Sequence, residues 1–146
     1  MNRVESAVFS FNNGFNCCQS VLLAYCQEFG LDSQVASRLS TGFGGGMGRM
    51  AGVCGAVTGA FMVLGLKYGN MRAEDNELKE KSYKLVMKFA EKFKARNDSI
   101  ACKDILGYDI STAQGLRTVR EEALFSKLCP KFVQDAAEIL EEMLRD

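Results

Sequence analysis

Apolar residues recur along most of the chain at the three-to-four-residue spacing of an amphipathic helix. The first stripe predicts a helix that the pair Asn13-Gly14 ends. A second helix is predicted from Asn16 to Gly30. Asn16 is a good N-cap, and Gln19, three residues later, completes the pattern of a capping box. The apolar faces of these two helices are Val4, Ala7, Val8 and Phe11, and then Cys18, Val21, Leu22, Tyr25, Cys26 and Phe29.

An uncharged stretch from Val53 to Leu66 follows a glycine-rich loop and is predicted to be a buried central helix. Gly55 and Gly59 lie four residues apart, so they would let another helix approach closely. The uncharged run falls short of the roughly 20 apolar residues of a membrane-spanning helix, and its glycines dilute its hydrophobicity. We therefore expect a buried helix and no membrane span.

The remaining chain is also helical in pattern. A short helix follows Asp32 or Ser33, a long charged helix spans Glu74 to Arg96, and another short helix runs from Ser99 to Gly107. The C-terminal region resumes near Ser111 and closes with a helix from Pro130 to Arg145. The core stripes of the long and the last helix are Leu78, Leu85, Val86, Phe89 and Phe93, and Val133, Ala137, Leu140 and Leu144.

These patterns predict an all-α fold, since no alternating β-rich run interrupts them. We expect one domain over residues 1–146. Its architecture is predicted to be a compact bundle of about six to seven helices around the buried Gly/Ala-rich central helix.

Composition narrows the class of protein. The chain is 47% apolar, which is enough to build a core without disulfides. Lys plus Arg and Asp plus Glu both number 18, and this zero net charge argues against a nucleic-acid partner. No signal peptide is visible near the N-terminus, so a cytoplasmic location with reduced cysteines is expected.

The chain has six cysteines and no histidine. The absence of histidine removes Cys–His catalytic pairs and zinc sites that contain histidine. Cys18 and Cys26 lie on the apolar face of the second helix, where a free cysteine packs as a small hydrophobe. The candidates for chemistry are the other four: Cys17, Cys54, Cys102 and Cys129.

Each of these four cysteines is predicted near the start of a helix. Cys17 follows the Asn16 cap, Cys54 falls in the first turn of the central helix, and Cys102 lies three residues after a predicted cap, Ser99. Cys129 precedes a proline, which favours the first helical position, so Cys129 is itself a predicted cap. The positive end of a helix dipole favours thiolates, the form that metal ligation and redox exchange require. A protein rich in short helices could also place four cysteines there by coincidence. The long, unequal gaps do not show whether the four meet.

The loop from Thr41 to Gly52 contains six glycines. Its segment Gly46–Ala51 fits G-x-G-x-x-A, but no βαβ unit surrounds it, so a nucleotide site is disfavoured. A loop that brings backbone amides close to Cys54 and its ligand fits better. Arg49 could stabilise a thiolate or an anionic ligand, or be simply solvated. The predicted cofactor-binding residues are Gly45, Gly46, Gly48 and Arg49.

Three motifs together resemble a known family: Asn16-Cys17-Cys18-Gln19, the loop Gly44–Arg49, and Cys54-Gly55-Ala56-Val57-Thr58-Gly59. With the two later cysteines, nearly the whole chain resembles the C_GCAxxG_C_C family of redox-active proteins, small domains with four characteristic cysteines. The resemblance implies that these four are Cys17, Cys54, Cys102 and Cys129, with Asn16 favouring Cys17 over Cys18 as the first. It implies a redox class but no substrate. A related domain occurs in a split-Soret cytochrome that carries an iron–sulfur centre, which makes a cluster one candidate cofactor.

Three alternative functions are consistent with these residues. The first is an oxidoreductase or electron-transfer protein whose four cysteines, as catalytic residues or metal ligands, hold an iron–sulfur cluster or cycle between dithiol and disulfide. The second is a protein with a structural zinc site made of four cysteines. The third is a helical binding or assembly module with incidental cysteines. A redox partner protein and a homo-oligomer are both left open.

Overall fold

The computed structural model describes residues 1–145, and within this range the chain forms helices and turns, with one isolated β-bridge between Val53 and Ala101. The all-α prediction is confirmed. Single 3-10 turns follow two of the helices, at Cys26–Phe29 and Thr41–Phe43. In chain order the helices are α1 Arg3–Asn12, α2 Cys17–Tyr25, α3 Ser33–Ser40, the short turn α4 Gly44–Met47, α5 Gly55–Tyr68, α6 Asn76–Asn97, α7 Cys102–Leu106, α8 Ala113–Glu121 and α9 Leu124–Met143.

The start of α2 is the capping box that the sequence predicts. The Gln19 amide donates to Asn16 Oδ1 at 2.9 Å, and the Asn16 amide donates to Gln19 Oε1 at 3.0 Å. These bonds satisfy amides that a helix start otherwise leaves unpaired. At the other end, the predicted second helix tightens into a 3-10 turn before the left-handed Gly30. The N-terminus of α2, and with it Cys17, is therefore firmly positioned.

Helix α5 is the buried centre of the fold, and it packs most closely against α2. A Cβ atom added at Gly59 would lie 2.9 Å from the Cys18 carbonyl oxygen and 3.1 Å from Val21 Cβ. At Gly55 it would lie 3.1 Å from Cys17 Cβ. The predicted close approach of another helix is confirmed, and that helix is α2.

Helices α6 and α9 enclose α5. Phe89 and Phe93 of α6 are fully buried, and the Phe93 ring lies 6.5 Å from that of Phe132 in α9. Leu78, predicted as part of this stripe, is instead 42% exposed, because no residue in the first half of α6 is buried. The predicted stripe of α9 is confirmed, since Val133, Ala137, Leu140 and Leu144 are all buried.

A buried carboxylate ties α6 to α9. Asp135 accepts hydrogen bonds from Lys131 at 2.7 Å, Arg96 at 3.1 Å and Asn97 at 3.2 Å. Burial opposes ionisation of Asp135, but these three donors outweigh it and lower the pKa of the carboxyl group. The contact fixes the axial position of α9, the helix that carries Cys129.

The prediction that Cys129 caps a helix is wrong. Helix α9 begins five residues earlier, at Leu124, after the left-handed Ala123. Leu124, Phe125 and Leu128 pack against the core, so the helix continues on the N-terminal side of Pro130. The proline then lies in the helix interior, where it removes one backbone hydrogen bond. Cys129 therefore has no free helix terminus beside it.

The most apolar helix, α5, has 14 residues, and no helix among residues 1–145 combines the length and apolarity needed to cross a bilayer.

Gly59→Ala should lower the free energy of unfolding by about 1–3 kcal/mol, because the new methyl group would press on α2. Urea denaturation measures the change. The matched control is Gly65→Ala in the same helix, where an added Cβ meets no atom within 4 Å. Alanine there should raise stability by up to about 1 kcal/mol through helix propensity. Equal effects of the two substitutions would contradict the close contact of α2 and α5.

Candidate functional site

The four candidate cysteines line one cavity of about 360 Å³. Their side chains come from four separate parts of the chain, and each residue is only 4–9% exposed. The predicted cofactor-binding residues Gly45, Gly46, Gly48 and Arg49 line the same cavity. The remaining walls are formed by Phe11, Asn16, Thr41, Gly44, Gly55, Ile105, Leu106, Phe125 and Phe132.

The N-terminus of α2 brings Cys17 to this cavity. The Asn16 side chain, besides capping α2, donates from Nδ2 to the Thr41 carbonyl oxygen at 2.9 Å. This bond joins the start of α2 to the start of the glycine loop. Gly44 lies so close that a Cβ there would be 2.7 Å from Asn16 Nδ2. Asn16 therefore positions both the Cys17 backbone and the loop opposite it.

A short antiparallel pairing places Cys54 beside Cys102. The Cys54 amide donates to the Ile100 carbonyl oxygen at 2.7 Å, and the Cys102 amide donates to the Gly52 carbonyl oxygen at 2.7 Å. These two bonds flank the bridge between Val53 and Ala101. No periodicity in the sequence predicted this pairing, because a bridge of one residue pair leaves no alternating pattern.

The pairing also overturns the predicted cap of the short helix. Ala101, not Ser99, is the N-cap of α7, and Cys102 is its first residue. The first amides of α7 donate to carbonyl oxygens of Ala51 and Gly52 in the glycine loop. The loop thus takes the place of a capping side chain, and the Cys102 amide is not free to stabilise its own sulfur.

Cys54 is the N-cap of α5, and the environment of its sulfur favours the thiolate. Interaction with the neighbouring Cys17 thiol is the main cause, and the amides of Ala56 and Val57 in the first turn of α5 add to this effect. Together they outweigh burial and lower the pKa of Cys54. The predicted depression of a thiol pKa at this position is confirmed.

The same prediction is wrong for Cys17 and Cys102. Interactions with the Cys129 and Cys54 side chains, together with burial, raise the pKa of Cys17 well above the ordinary value. Burial, together with negative charge on Cys54 and Cys129, raises the pKa of Cys102 to about 12. A helix N-terminus favours a thiolate only where desolvation and neighbouring sulfurs do not outweigh it.

The glycine loop turns with a left-handed backbone from Gly45 to Arg49. The φ angles of these five successive residues lie between 61° and 69°. For Met47 and Arg49, which carry side chains, such a conformation costs about 1–2 kcal/mol per residue. Bonds from the Ala51 amide to the Gly45 carbonyl oxygen at 3.2 Å, and from Gly52 to Gly46 at 2.9 Å, close the turn. This turn delivers the chain to Cys54.

Arg49 is exposed, and within residues 1–145 it is the only ionisable side chain on the cavity wall apart from the cysteines. Its aliphatic stem lies over Gly45, where an added Cβ would be 2.8 Å from Arg49 Cγ. Gly45 therefore has two reasons to be glycine, its positive φ and the space that the arginine stem occupies.

Cys18 and Cys26 lie outside the cavity and are fully buried, as predicted for packing residues. The Cys18 thiol contacts the Met62 sulfur at 3.9 Å, and burial raises the pKa of Cys18 to about 11. The Cys26 thiol donates to the Leu23 carbonyl oxygen at 3.6 Å. Neither residue lines the cavity that holds the other four cysteines.

A metal ion does not fit the arrangement of side chains that the structure describes. Among residues 1–145, no group of three or more histidine, cysteine, aspartate or glutamate side chains is placed to hold one. The thiols are suitable donors chemically and share a cavity, but they are not spaced as ligands of one ion. The role of the four cysteines as metal ligands therefore stays a prediction.

The apolar wall of the cavity is the part that sequence reasoning missed. Phe125 and Phe132 flank Cys129 on α9, while Ile105 and Leu106 follow Cys102 on α7. These residues lie close in sequence to two candidate cysteines, and this closeness could have indicated that they line the same site. Phe11 had no such signal, since it reaches the cavity from α1.

Comparison with known proteins gives one result. The family model described as "Putative redox-active protein (C_GCAxxG_C_C)" matches residues 15–143, a range that contains all six cysteines. No curated protein and no solved structure matches the chain.

The Cys54 thiolate should persist to a lower pH than a free thiol, whose pKa is roughly 8.5. We expect the rate of alkylation by iodoacetamide at Cys54 to have its midpoint below that value, because the thiolate is the reacting form. Cys102, with a pKa of about 12, should stay almost unreactive in the same range. Peptide mass spectrometry separates the two sites. In denaturant they should react alike, and a native Cys54 midpoint no lower than the denatured one would refute the assignment.

Gly46→Ala should be more damaging than Gly48→Ala, although both residues are left-handed. An added Cβ at Gly46 would lie 2.5 Å from the Gly52 amide nitrogen, whereas at Gly48 its nearest neighbour is 3.9 Å away. Gly48→Ala should cost about 1–2 kcal/mol of unfolding free energy from backbone strain alone. Gly46→Ala should cost more and also slow Cys54 alkylation, because it displaces the segment that leads to Cys54. Equal effects on both measurements would contradict this role of the turn.

Proposed function

Because this chain belongs to the C_GCAxxG_C_C family of redox-active proteins, we propose that it carries out thiol–disulfide exchange and that Cys54 and Cys17 are the two reacting thiols. One observation carries the proposal. Cys17 and Cys54 line the same cavity, Cys17 lies against Gly55, the residue that follows Cys54, and interaction with the Cys17 thiol lowers the pKa of Cys54. A nucleophilic thiolate with a second thiol in contact is what dithiol–disulfide exchange requires.

In the first step, the Cys54 thiolate attacks one sulfur of a substrate disulfide. The substrate S–S bond breaks, one half leaves as a thiolate that takes up a proton, and the other half stays bound to Cys54 as a mixed disulfide. The amides at the start of α5 stabilise the thiolate before attack. The surrounding apolar wall limits access of water to the reacting sulfur.

In the second step, Cys17 resolves the mixed disulfide. Its sulfur attacks the Cys54 sulfur and forms a Cys17–Cys54 disulfide, while the second half of the substrate leaves with the Cys17 proton. One cause of the raised Cys17 pKa is its interaction with the Cys54 sulfur. Once Cys54 is in a mixed disulfide it carries no charge, so this cause disappears and Cys17 becomes easier to deprotonate. The net reaction reduces the substrate by two electrons and oxidises the chain.

Cys129 and Cys102 complete the ring of thiols around this pair. Cys129 interacts with Cys17, and the neighbouring Cys54 and Cys129 side chains add to the effect of burial in raising the pKa of Cys102. In the proposed reaction both stay reduced. Burial keeps Cys102 protonated, so it does not compete with Cys17 for the mixed disulfide.

The reduced chain, treated with one equivalent of a small disulfide, should form a Cys17–Cys54 crosslink. Peptide mapping under non-reducing conditions detects it. Cys17→Ser should stop at the mixed disulfide, because the resolving thiol is gone, and Cys54→Ser should lower the reaction rate at least about tenfold. Circular dichroism should show helical content unchanged in both, since serine has nearly the size and shape of the buried cysteine that it replaces.

Cys26→Ala is the matched control, because Cys26 is buried away from the cavity and should leave both the crosslink and its rate unchanged. A crosslink that persists in Cys54→Ser would overturn the assignment of the nucleophile. Anaerobic purification with metal analysis tests the alternative. Stoichiometric iron and sulfide with visible absorption, lost in each of the four cysteine variants, would replace thiol exchange by a cluster function.

A further inference from the structure

The cavity restricts what can reach Cys54. Its volume of about 360 Å³ is near the lower end of small-molecule pockets, which run from roughly 300 to 1,000 Å³. The Cys54 residue is only 4% exposed. A disulfide on a folded protein would have to push its own backbone through the opening, whereas a small disulfide can enter. Size therefore favours a low-molecular-weight substrate.

The charge on the wall restricts the substrate further. Arg49 lines the cavity, and no carboxylate within residues 1–145 forms an ion pair with it. The other polar groups there are largely engaged: the Asn16 side chain caps α2 and binds Thr41. The guanidinium group therefore offers donors suited to a carboxylate, at a site where no other side chain among the described residues carries a positive charge.

Electrostatics within the cavity shows what Arg49 would change. A Cys54 thiolate repels an anionic substrate, and this repulsion is strong where water is scarce. A cation on the same wall offsets it. Without the cation, a neutral disulfide should react faster than an anionic one. With the cation present, the anionic disulfide should react faster.

We propose that the substrate is a small disulfide that bears a carboxylate near its sulfur, and that Arg49 binds this carboxylate while Cys54 attacks the S–S bond. The inference rests on the proposed thiol exchange and adds to it the class of substrate. The bond changes are those of the first step above: the substrate disulfide breaks, one half leaves as a thiol carrying its carboxylate, and the other half is held on Cys54.

Three small disulfides that differ mainly in charge test this assignment: dithiodiacetate, bis(2-hydroxyethyl) disulfide and cystamine. Rates of a single turnover with the reduced chain are each divided by the rate of the same disulfide with free 2-mercaptoethanol, which removes differences in intrinsic reactivity. We expect dithiodiacetate to be preferred over cystamine by about tenfold or more, and the preference to shrink as salt is added. Disulfides of a folded protein such as insulin should react more slowly than dithiodiacetate after the same normalisation.

Arg49→Gln should remove or reverse the preference for dithiodiacetate, because the cation that offsets the thiolate charge is gone. Arg49→Lys should retain most of it. Arg120 is an exposed arginine in α8 outside the cavity, so Arg120→Gln makes the same change in net charge and should leave the preference intact.

The substrate assignment is overturned, while thiol exchange stands, if the normalised rates are equal for all three disulfides or if the preference is unchanged in Arg49→Gln. Faster reduction of insulin also overturns it. No reaction with any disulfide refutes the proposed function itself.

Discussion

The close contact between α2 and α5 is the constraint on which the site depends. Gly55 and Gly59 let the two backbones approach until an added Cβ would touch Cys17, Cys18 and Val21. This approach places Cys17, the first residue of α2, against Cys54, the residue just before α5. The contact is possible only because glycine has no side chain. Any larger residue at these positions would push the two helices apart, and the two sulfurs with them.

The thiol cluster behaves as a site for one negative charge. In a buried setting with low dielectric, a thiolate at one sulfur raises the pKa of every thiol near it. Cys54 holds the favoured position because the helix amides and the Cys17 thiol both interact with it. Charge on Cys54 then contributes to the raised pKa of Cys17 and Cys102. One nucleophile beside two thiols of raised pKa is the arrangement that the proposed exchange uses.

The left-handed turn from Gly45 to Arg49 serves both the backbone and the chemistry. It lets the chain reverse within a few residues and pair with the segment before Cys102. It also places Arg49 on the cavity wall with its stem over Gly45. Such backbone strain persists only where surrounding contacts overdetermine it, and it is common at functional sites. Here the carbonyl oxygens of Ala51 and Gly52, bound by the first amides of α7, supply those contacts.

The sequence by itself determined the helical class, the capping box at Asn16 and the close-packing glycines. It also separated the two packing cysteines from the four that line the cavity, and it indicated Cys54 as the favoured thiolate. These are local features, set by periodicity, cap chemistry and the size of one side chain. Only the tertiary structure decided the rest. Helix α9 begins before Pro130, at Leu124, because its first residues pack against the core. Cys129 therefore lies inside the helix and not at its start. Burial and neighbouring sulfurs raised the pKa of Cys17 and Cys102, where a helix position alone predicted the opposite. The pairing beside Cys54 and Cys102 and the apolar cavity wall depend on contacts between segments far apart in the chain, whose energies no local pattern records.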